Sequence, residues 1–199
     1  MKSFRSIFCV TLSLLAACSD DIQEDQIDPS SYLPMKVGNY WEFKYEVLSG
    51  NTTVRRREVM DVVTLDGNQY FEILETEIAS DLEARSTVYY RIEDQRVYAY
   101  QPGTIEENLY RLDSKHGDTW SFPSYDHIAT MTVTVSDITL GAATIKHCKN
   151  FQMDVEEWED DERVYTLAPG IGFVRIEPPN PEDTLILKRA GINGQEYNF

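Results

Sequence analysis

Apolar and polar residues alternate along most of this chain, and that period of two predicts half-buried β-strands. In the first clear example Trp41 and Phe43 fall on one face of a strand, whereas Glu42 and Lys44 fall on the other. The same alternation predicts further strands over residues 54–65, 69–78, 87–93, 97–100, 129–135, 143–155, 163–167, 173–177 and 184–188. Residues 149 and 150 are expected to break the strand over 143–155.

Polar and glycine-containing segments separate these strands, as in antiparallel hairpins. Examples are residues 49–51, 66–68 and 93–96, and the prolines at positions 102, 123, 169, 178, 179 and 181 are also expected in turns or loops. Residues 104–112 fit either a helix capped by Thr104 and Glu107 or a strand, and the strand is favoured. The pattern therefore predicts an all-β fold with few or no helices. It would be an antiparallel meander of about ten strands, forming a curved sheet, a half-barrel or a sandwich.

A short motif occurs twice, as KVGNYWEF at residues 36–43 and as KHGDTWSF at residues 115–122. In each copy a glycine can adopt a positive φ, and the residue after it, Asn39 or Asp118, tolerates a tight turn. A tryptophan and a phenylalanine two residues apart then point to the same side of a strand. Trp41 and Trp120 are therefore predicted to anchor the core rather than to form a ligand platform. The sequence leaves open whether the two copies reflect duplication.

The first 17 residues have a basic end and a short apolar run, which together predict a secretory signal. The run ends in Leu15-Ala16-Ala17-Cys18, which resembles the lipobox of bacterial lipoproteins. That resemblance implies cleavage before Cys18 and acylation of its thiol, so that the acyl chains would anchor the protein in a membrane. Residues 18–31 are acidic and polar and are predicted to be a flexible tether, and residues 32–199 a single β domain.

The residues after Cys18 bear on the location of the protein. Ser19 in place of aspartate resembles the outer-membrane class of lipoproteins. The run Ser19-Asp20-Asp21 also resembles an acidic export signal that sends some lipoproteins to the cell surface. An outer-membrane lipoprotein displayed on the cell surface is therefore expected, with a periplasm-facing lipoprotein as the alternative.

Net charge excludes one class of partner. The formal charge is −16, and removal of residues 1–17 takes away Lys2 and Arg5 and no acid, which makes it −18. Such a surface repels nucleic acids and anionic membranes, so neither nucleic-acid binding nor polybasic docking to a membrane is expected, and the membrane is a partner only through the acylated Cys18. The run of arginines at positions 55–57 is the local exception, and it is interpreted as the solvated face of a strand. The chain has three cysteines. Because Cys9 would be lost with the signal and Cys18 would be acylated, Cys148 has no cysteine to pair with and no disulfide is predicted. Cys148 is interpreted as a small buried apolar residue.

Motifs of known catalytic chemistry are absent from the sequence. It contains no Gly-x-Ser-x-Gly, no His-Glu-x-x-His and no phosphate-binding glycine loop. His116, His127 and His147 lack a spacing that would hold a metal, so no catalytic residue, metal site or cofactor is predicted. Trp158 falls on the outer face among acidic residues, and it is the first candidate for a contact surface.

The motif YLPMKVGNYW at residues 32–41 and the later segment APGIGFV at residues 168–174 resemble the two ends of an uncharacterised family of secreted bacterial lipoproteins. That resemblance implies an antiparallel fold similar to outer-membrane lipoprotein carriers, with an apolar concavity and no established catalytic residues. The expected function is a non-catalytic binding or structural module, for a hydrophobic ligand, a glycan or an envelope protein at the concave face of the sheet. The alternative is a hydrolase of envelope or dietary polymers, which would need paired carboxylates in a deep cleft.

Overall fold

The computed structural model describes residues 26–46, 52–79, 82–124, 126–156, 162–179 and 183–199. In these residues a short 3-10 helix, Pro29–Tyr32, precedes a series of strands and there is no α-helix. The strands are β1 (Tyr40–Glu46), β2 (Thr52–Leu65), β3 (Asn68–Ala79), β4 (Leu82–Glu93), β5 (Arg96–Tyr100), β6 (Glu107–Arg111), β7 (Thr119–Ser124), β8 (His127–Leu140), β9 (Ala143–Val155), β10 (Arg163–Ala168), β11 (Gly172–Glu177), β12 (Leu185–Ile192) and β13 (Gln195–Asn198).

All these strands belong to one antiparallel sheet that curves into a nearly closed, barrel-shaped layer. Its order is β6-β5-β4-β3-β2-β1-β12-β11-β10-β9-β8-β7, with β13 added beside β12. Sequence neighbours therefore pair along both halves, and β1 joins the halves by pairing with β12. The predicted all-β antiparallel meander is confirmed. The shape is a single curved sheet, so the sandwich alternative is wrong.

Three local predictions are wrong for identifiable reasons. β9 is not broken at Lys149, because that residue stays in the strand and its Nζ donates to the carbonyls of Leu112 (2.7 Å) and Ser114 (2.6 Å). Pro123 lies inside β7 rather than in a turn, which an edge strand tolerates because its outer N–H is not needed for pairing. The terminal strand β13 was missed because it is short and polar.

The two copies of the repeated motif adopt the same local structure. Gly38 and Gly117 have φ values of +88° and +89°. Each donates its N–H at 2.8 Å to the next long strand, Gly38 to the carbonyl of Val59 and Gly117 to that of Val133. The tryptophan and phenylalanine of both copies are buried in the core. The prediction of two core anchors is confirmed, and each copy opens one of the two halves of the sheet.

The two separated segments of the family resemblance meet around Trp41. Its indole Nε1 donates to the carbonyl of Ile171 at 2.6 Å, and its ring meets Phe173 edge-on at 5.7 Å. Gly172, with φ +93°, packs directly on the indole, where a Cβ would lie 2.7 Å from Nε1. The N–H of Gly170 donates to the carbonyl of Ser31 at 2.9 Å, so the start of the domain is tied to the same segment. These residues form a packed clasp and no cavity.

The two edge strands, β6 and β7, face each other across the seam of the sheet without forming a backbone ladder. Side chains bridge them instead. Trp120 Nε1 donates to the carbonyl of Asn108 at 3.0 Å, and Ser124 Oγ donates to Glu107 Oε1 at 2.7 Å. The layer is therefore closed by hydrogen bonds that involve side chains at this seam.

The interior is filled by one apolar cluster drawn from every strand from β1 to β12. Cys148 belongs to it and is fully buried, as predicted. Burial raises the pKa of its thiol to about 12, so the thiol is neutral and unreactive at neutral pH.

Candidate binding cavity

A cavity of about 680 Å³ opens at one end of the inner face of the sheet. Its walls come from nine strands, β2 to β7 and β9 to β11, and its rim from residues 101–105 and 178–179. Apolar side chains line part of it, namely Val88, Ala99, Leu109, Met153, Val155 and Ile176. Three tyrosines and several charged residues line the rest, so the concavity is not the purely apolar one that the family resemblance implied.

Strand register brings two arginines into this cavity. In the β1–β2 pair Trp41 lies opposite Arg57, and Phe43 lies opposite Arg55. Directly opposite residues of an antiparallel pair share a face, so both arginines point inward with the aromatic residues. Arg56 points outward, with its guanidinium 3.8 Å from the Tyr40 ring centroid. The interpretation of all three arginines as a solvated face is therefore wrong for Arg55 and Arg57, which line the cavity.

Arg57 is the buried charge of the site, with only 8% of its surface exposed. Its Nε lies 2.7 Å from Glu75 Oε1, an ion pair in which the N–H is not well directed at the oxygen. The guanidinium also covers the Phe173 ring, 4.9 Å from its centroid. Burial lowers the pKa of Arg57, but the charge of Glu75 together with the neighbouring phenols of Tyr90, Tyr110 and Tyr165 outweighs this, and the net shift is upward. Arg57 therefore stays protonated, and its Nη1 has no hydrogen-bond partner in the part of the chain that the structure describes.

Tyrosine rings surround this arginine. Tyr110 is fully buried, 5.8 Å from Tyr165 and 6.1 Å from Phe173 between ring centroids. Burial raises the pKa of Tyr90 and of Tyr110 above the usual phenol value, so both are neutral hydrogen-bonding groups. Among the described residues the Tyr110 hydroxyl also has no hydrogen-bond partner. Arg57, which lines the cavity, and the Tyr110 hydroxyl in the core beside it are thus two buried polar groups with unused hydrogen-bonding capacity.

The charged residues nearer the mouth differ in how they are paired. Arg55 Nε donates to Glu77 Oε2 at 2.9 Å, which neutralises that arginine. Glu107 accepts the hydrogen bond of Ser124 across the seam. Arg163, which begins β10 on the cavity wall, is exposed, and its side chain makes no ion pair or hydrogen bond within the described ranges. The mouth therefore carries one arginine whose charge has no direct partner.

Residues 101–106, which connect β5 to β6, form one rim of the cavity and are fixed to the sheet by Glu106. Its carboxylate receives a hydrogen bond from Arg91 Nη2 at 2.7 Å and one from the Tyr70 hydroxyl at 2.7 Å. The bond from Arg91 is the main reason why the pKa of Glu106 is lowered. The same bond raises the pKa of Arg91. This network anchors the rim at its β6 end.

A second, smaller cavity of about 240 Å³ lies beside Tyr32, Ser114 and Lys149. The ammonium of Lys149 already donates to two carbonyls and lies 4.5 Å from the Tyr32 ring centroid. Its charged group is thus engaged in the structure of the domain, and the larger cavity is the better candidate site.

The residues singled out in the sequence lie away from the larger cavity or outside the description. Cys18 and Trp158 are not among the described residues, so their predicted roles stay predictions. His116 Nδ1 accepts the N–H of Val135 at 3.2 Å in the turn of the second motif. Within the described ranges no group of three or more His, Cys, Asp or Glu side chains is arranged to hold a metal ion. No helix in those ranges is long and apolar enough to cross a membrane.

Sequence reasoning missed the residues that build the site. Arg57, Glu75 and Tyr165 come together from three strands, and only their register shows that they share a face. One signal was available: alternation alone separates positions 55 and 57 from position 56. Pairing that alternation with the inward Trp41 would have placed the two outer arginines of the run inside.

The protein is thus an all-β domain made of one nearly closed sheet, with a mixed polar and apolar cavity at one end. No protein-family model matches the chain, and no curated protein matches it. Two crystal structures resemble it. A "putative lipoprotein" from Parabacteroides distasonis is 15% identical with a TM-score of 0.47, and the match covers 83% of this chain and 98% of that one. A "putative exported protein with YmcC-like fold" from Bacteroides fragilis is 13% identical with a TM-score of 0.49, with the same coverage of 83% and 98%.

Proposed function

We propose that this protein is a lipid-anchored, non-catalytic envelope module that holds a small molecule in the cavity of its β domain. The observation that carries the proposal is the cavity itself. Its volume of about 680 Å³ falls within the range of roughly 300–1,000 Å³ that is usual for small-molecule sites. Its lining also has the usual composition of such sites, with apolar and aromatic walls and a few convergent polar groups.

The lining narrows the choice among the three expected ligands. A purely hydrophobic ligand would leave Arg57, Glu75 and the phenols without new partners, and burying polar groups without partners is unfavourable. An envelope protein would be favoured by a broad flat patch, whereas this site is a recess at the end of a sheet. A small molecule with both polar and apolar parts fits the lining best.

The hydrolase alternative is less well supported by this geometry. It would need two carboxylates free to act as acid and base across a substrate. The Glu75 carboxylate lies against Arg57, and the Glu107 carboxylate accepts a hydrogen bond from Ser124. Both carboxylates of the cavity lining are thus engaged, which supports binding without catalysis.

Export and anchoring are proposed from residues 1–21 alone. We expect Cys18→Ala to abolish incorporation of radiolabelled palmitate in growing cells and to release the protein from the membrane fraction. Treating intact cells with a membrane-impermeant biotin reagent then tests the orientation. Surface display predicts labelling of the intact cells, and labelling only after lysis would favour the periplasm-facing alternative.

Binding in the cavity is tested with a neutral fluorescent probe, N-phenyl-1-naphthylamine, which brightens when it leaves water. Ser86 faces the cavity opposite Glu75, and Ser86→Trp should fill its mouth. Thr87→Trp is the matched control, since the next residue of the strand points to the other face. We expect Ser86→Trp to weaken probe binding at least tenfold and Thr87→Trp to leave it unchanged, with both variants folded by circular dichroism. Equal binding by both variants would refute the proposal, and so would a failure of the unmodified protein to bind either this probe or its sulfonated analogue.

A further inference from the structure

We propose that the ligand of this cavity is an amphiphile with one anionic group, carboxylate or phosphate in chemistry, which binds Arg57 while Arg163 attracts it from the mouth. This inference rests on the proposed binding function and adds the chemical class of the ligand. It is carried by one buried, incompletely paired cation and one unpaired cation that line the same recess.

Arg57 is arranged as a receptor for an anion. A guanidinium has five N–H donors in a planar fork, and that fork suits the oxygens of carboxylates and phosphates. Glu75 contacts Arg57 through Nε, and Nη1 has no hydrogen-bond partner among the described residues. A buried donor without a partner is unfavourable, so an oxygen that reaches Nη1 gains a strong charge-assisted bond.

The packing around Arg57 favours the same role. Phe173 lies beneath the guanidinium, and the register of β1 and β2 fixes the strand that presents it. The side chain is therefore held in place before a ligand arrives, which lowers the entropy lost on binding. A structural ion pair alone would need only Glu75, and it would not account for the donor that remains unused.

Arg163 supplies the second positive charge. It lies opposite Met153, a cavity-lining residue, in the β9–β10 pair, so both belong to the same wall. The chain as a whole has a formal charge of −16, so most of its surface repels anions. An unpaired arginine at the mouth is a local exception that would draw an anionic group toward the cavity.

The remaining lining defines the other half of the ligand. Val88, Met153, Val155 and Ile176 form an apolar wall, and Pro178 and Pro179 extend it at the rim. An apolar body packed here removes hydrocarbon surface from water, while its anionic end reaches the guanidinium. Neither a bare inorganic anion nor a neutral hydrocarbon would use both parts of the site.

A pair of probes that share one apolar body tests this assignment. The anionic probe is 8-anilinonaphthalene-1-sulfonate, and N-phenyl-1-naphthylamine is the same molecule without the sulfonate. We expect the purified protein to bind the anionic probe on the order of tenfold more tightly, the ratio typical of one charge-assisted hydrogen bond. Sodium chloride should weaken binding of the anionic probe and leave binding of the neutral probe unchanged.

Three variants assign that preference to residues. Arg163 is exposed, so Arg163→Gln should fold normally. The substitution should weaken binding of the anionic probe about threefold or more at low salt. Arg57→Met combined with Glu75→Leu removes the buried pair without leaving a lone charge, and it should abolish the preference for the anion. The matched control is Arg189→Gln, which removes a solvent-facing arginine of β12 and should leave the binding of both probes unchanged.

The outcomes separate the two proposals. Binding of neither probe would refute the proposed cavity function itself. Equal binding of both probes, with no change in Arg163→Gln or in the double variant, would leave cavity binding intact and refute the anionic ligand. The anionic ligand would also be contradicted if the double variant bound neither probe while Arg163→Gln bound both as tightly as the unmodified protein. The double substitution would then act by changing the shape of the cavity.

Discussion

Replacement of Trp41 by alanine is the sharpest test of how this domain is held together. The indole is fully buried where β1 joins the two halves of the sheet, and its Nε1 donates to the carbonyl of Ile171 at 2.6 Å. Truncation of a buried tryptophan to alanine removes about 3–5 kcal/mol of stability. The upper part of that range is expected here, because the Ile171 carbonyl loses its donor and Phe173 loses an edge-to-face contact.

Urea unfolding followed by far-ultraviolet circular dichroism measures this loss without relying on tryptophan fluorescence. With a slope of about 2 kcal/mol per molar urea, a loss of about 4 kcal/mol lowers the unfolding midpoint by about 2 M. Single domains have only about 5–15 kcal/mol in total, so this loss is roughly a quarter or more of the stability of the domain.

Two companion variants divide the effect into its parts. Trp41→Phe keeps an aromatic ring and loses the N–H donor, so it should lower stability by about 2 kcal/mol. Trp120→Ala removes the tryptophan of the second motif copy, which lies on the edge strand β7 and is slightly exposed, so its effect should be smaller than that of Trp41→Ala. A midpoint for Trp41→Ala within about 0.5 M of the unmodified protein would refute the assignment of Trp41 as a core anchor.

Three other predictions concern the ion pair, the clasp and the rim. Arg57→Met should lower the free energy of unfolding by about 3 kcal/mol, because it leaves Glu75 half-buried and alone, and adding Glu75→Leu should recover most of that loss in urea titrations. Full stability in the single variant would contradict this. Gly172→Ala should lower stability by about 2–4 kcal/mol, since its φ is positive and a Cβ would meet the indole ring. Gly170→Ala has a positive φ but open space around it, and should lose only about 1 kcal/mol, so equal melting temperatures would refute the argument. The pKa of Glu106 is lowered in the folded state, so its contribution to stability is present above its ordinary value of 4.5 and lost as the pH falls below it. Glu106→Gln should therefore flatten the fall of stability in acid, and an unchanged slope would show that the rim network is not formed.

The elements with a strong local signal are the ones that the sequence predicted well. Trp41 and Trp120 were placed in the core because aromatic residues spaced by two, after a Gly-Asn or Gly-Asp turn, have few other arrangements open to them. The long strands β2, β3 and β9 were found because alternation persists over many residues. The missed strand β13 is short and polar, and the interior strands β4 and β8 extend beyond their predicted spans through the mostly exposed residues 82–86 and 136–140.

The cavity could not be predicted in the same way, because it depends on relations between strands. Position 57 has the local pattern of a solvent-facing arginine, and only its pairing with Trp41 turns it inward. The β2–β3 pairing places Glu75 opposite Arg57. Tyr165 comes from β10, in the other half of the sheet, where it lies opposite Phe151 of β9. Side-chain volumes summed over nine strands then decide whether that space is filled or open, and no local pattern contains that sum.

The order of the sheet also sets the course by which the chain can fold. Within each half, every strand pairs with its neighbour in sequence, so these hairpins bring together residues that are already close along the chain. The β1–β12 pair is different, because it joins Tyr40 to Gly191 and must close almost the whole domain into one loop. Contacts of such long range are slow to form. We therefore expect the two meanders to form early and independently. The pairing of β1 with β12, which brings Trp41 into the clasp, should then be the step that limits the folding rate.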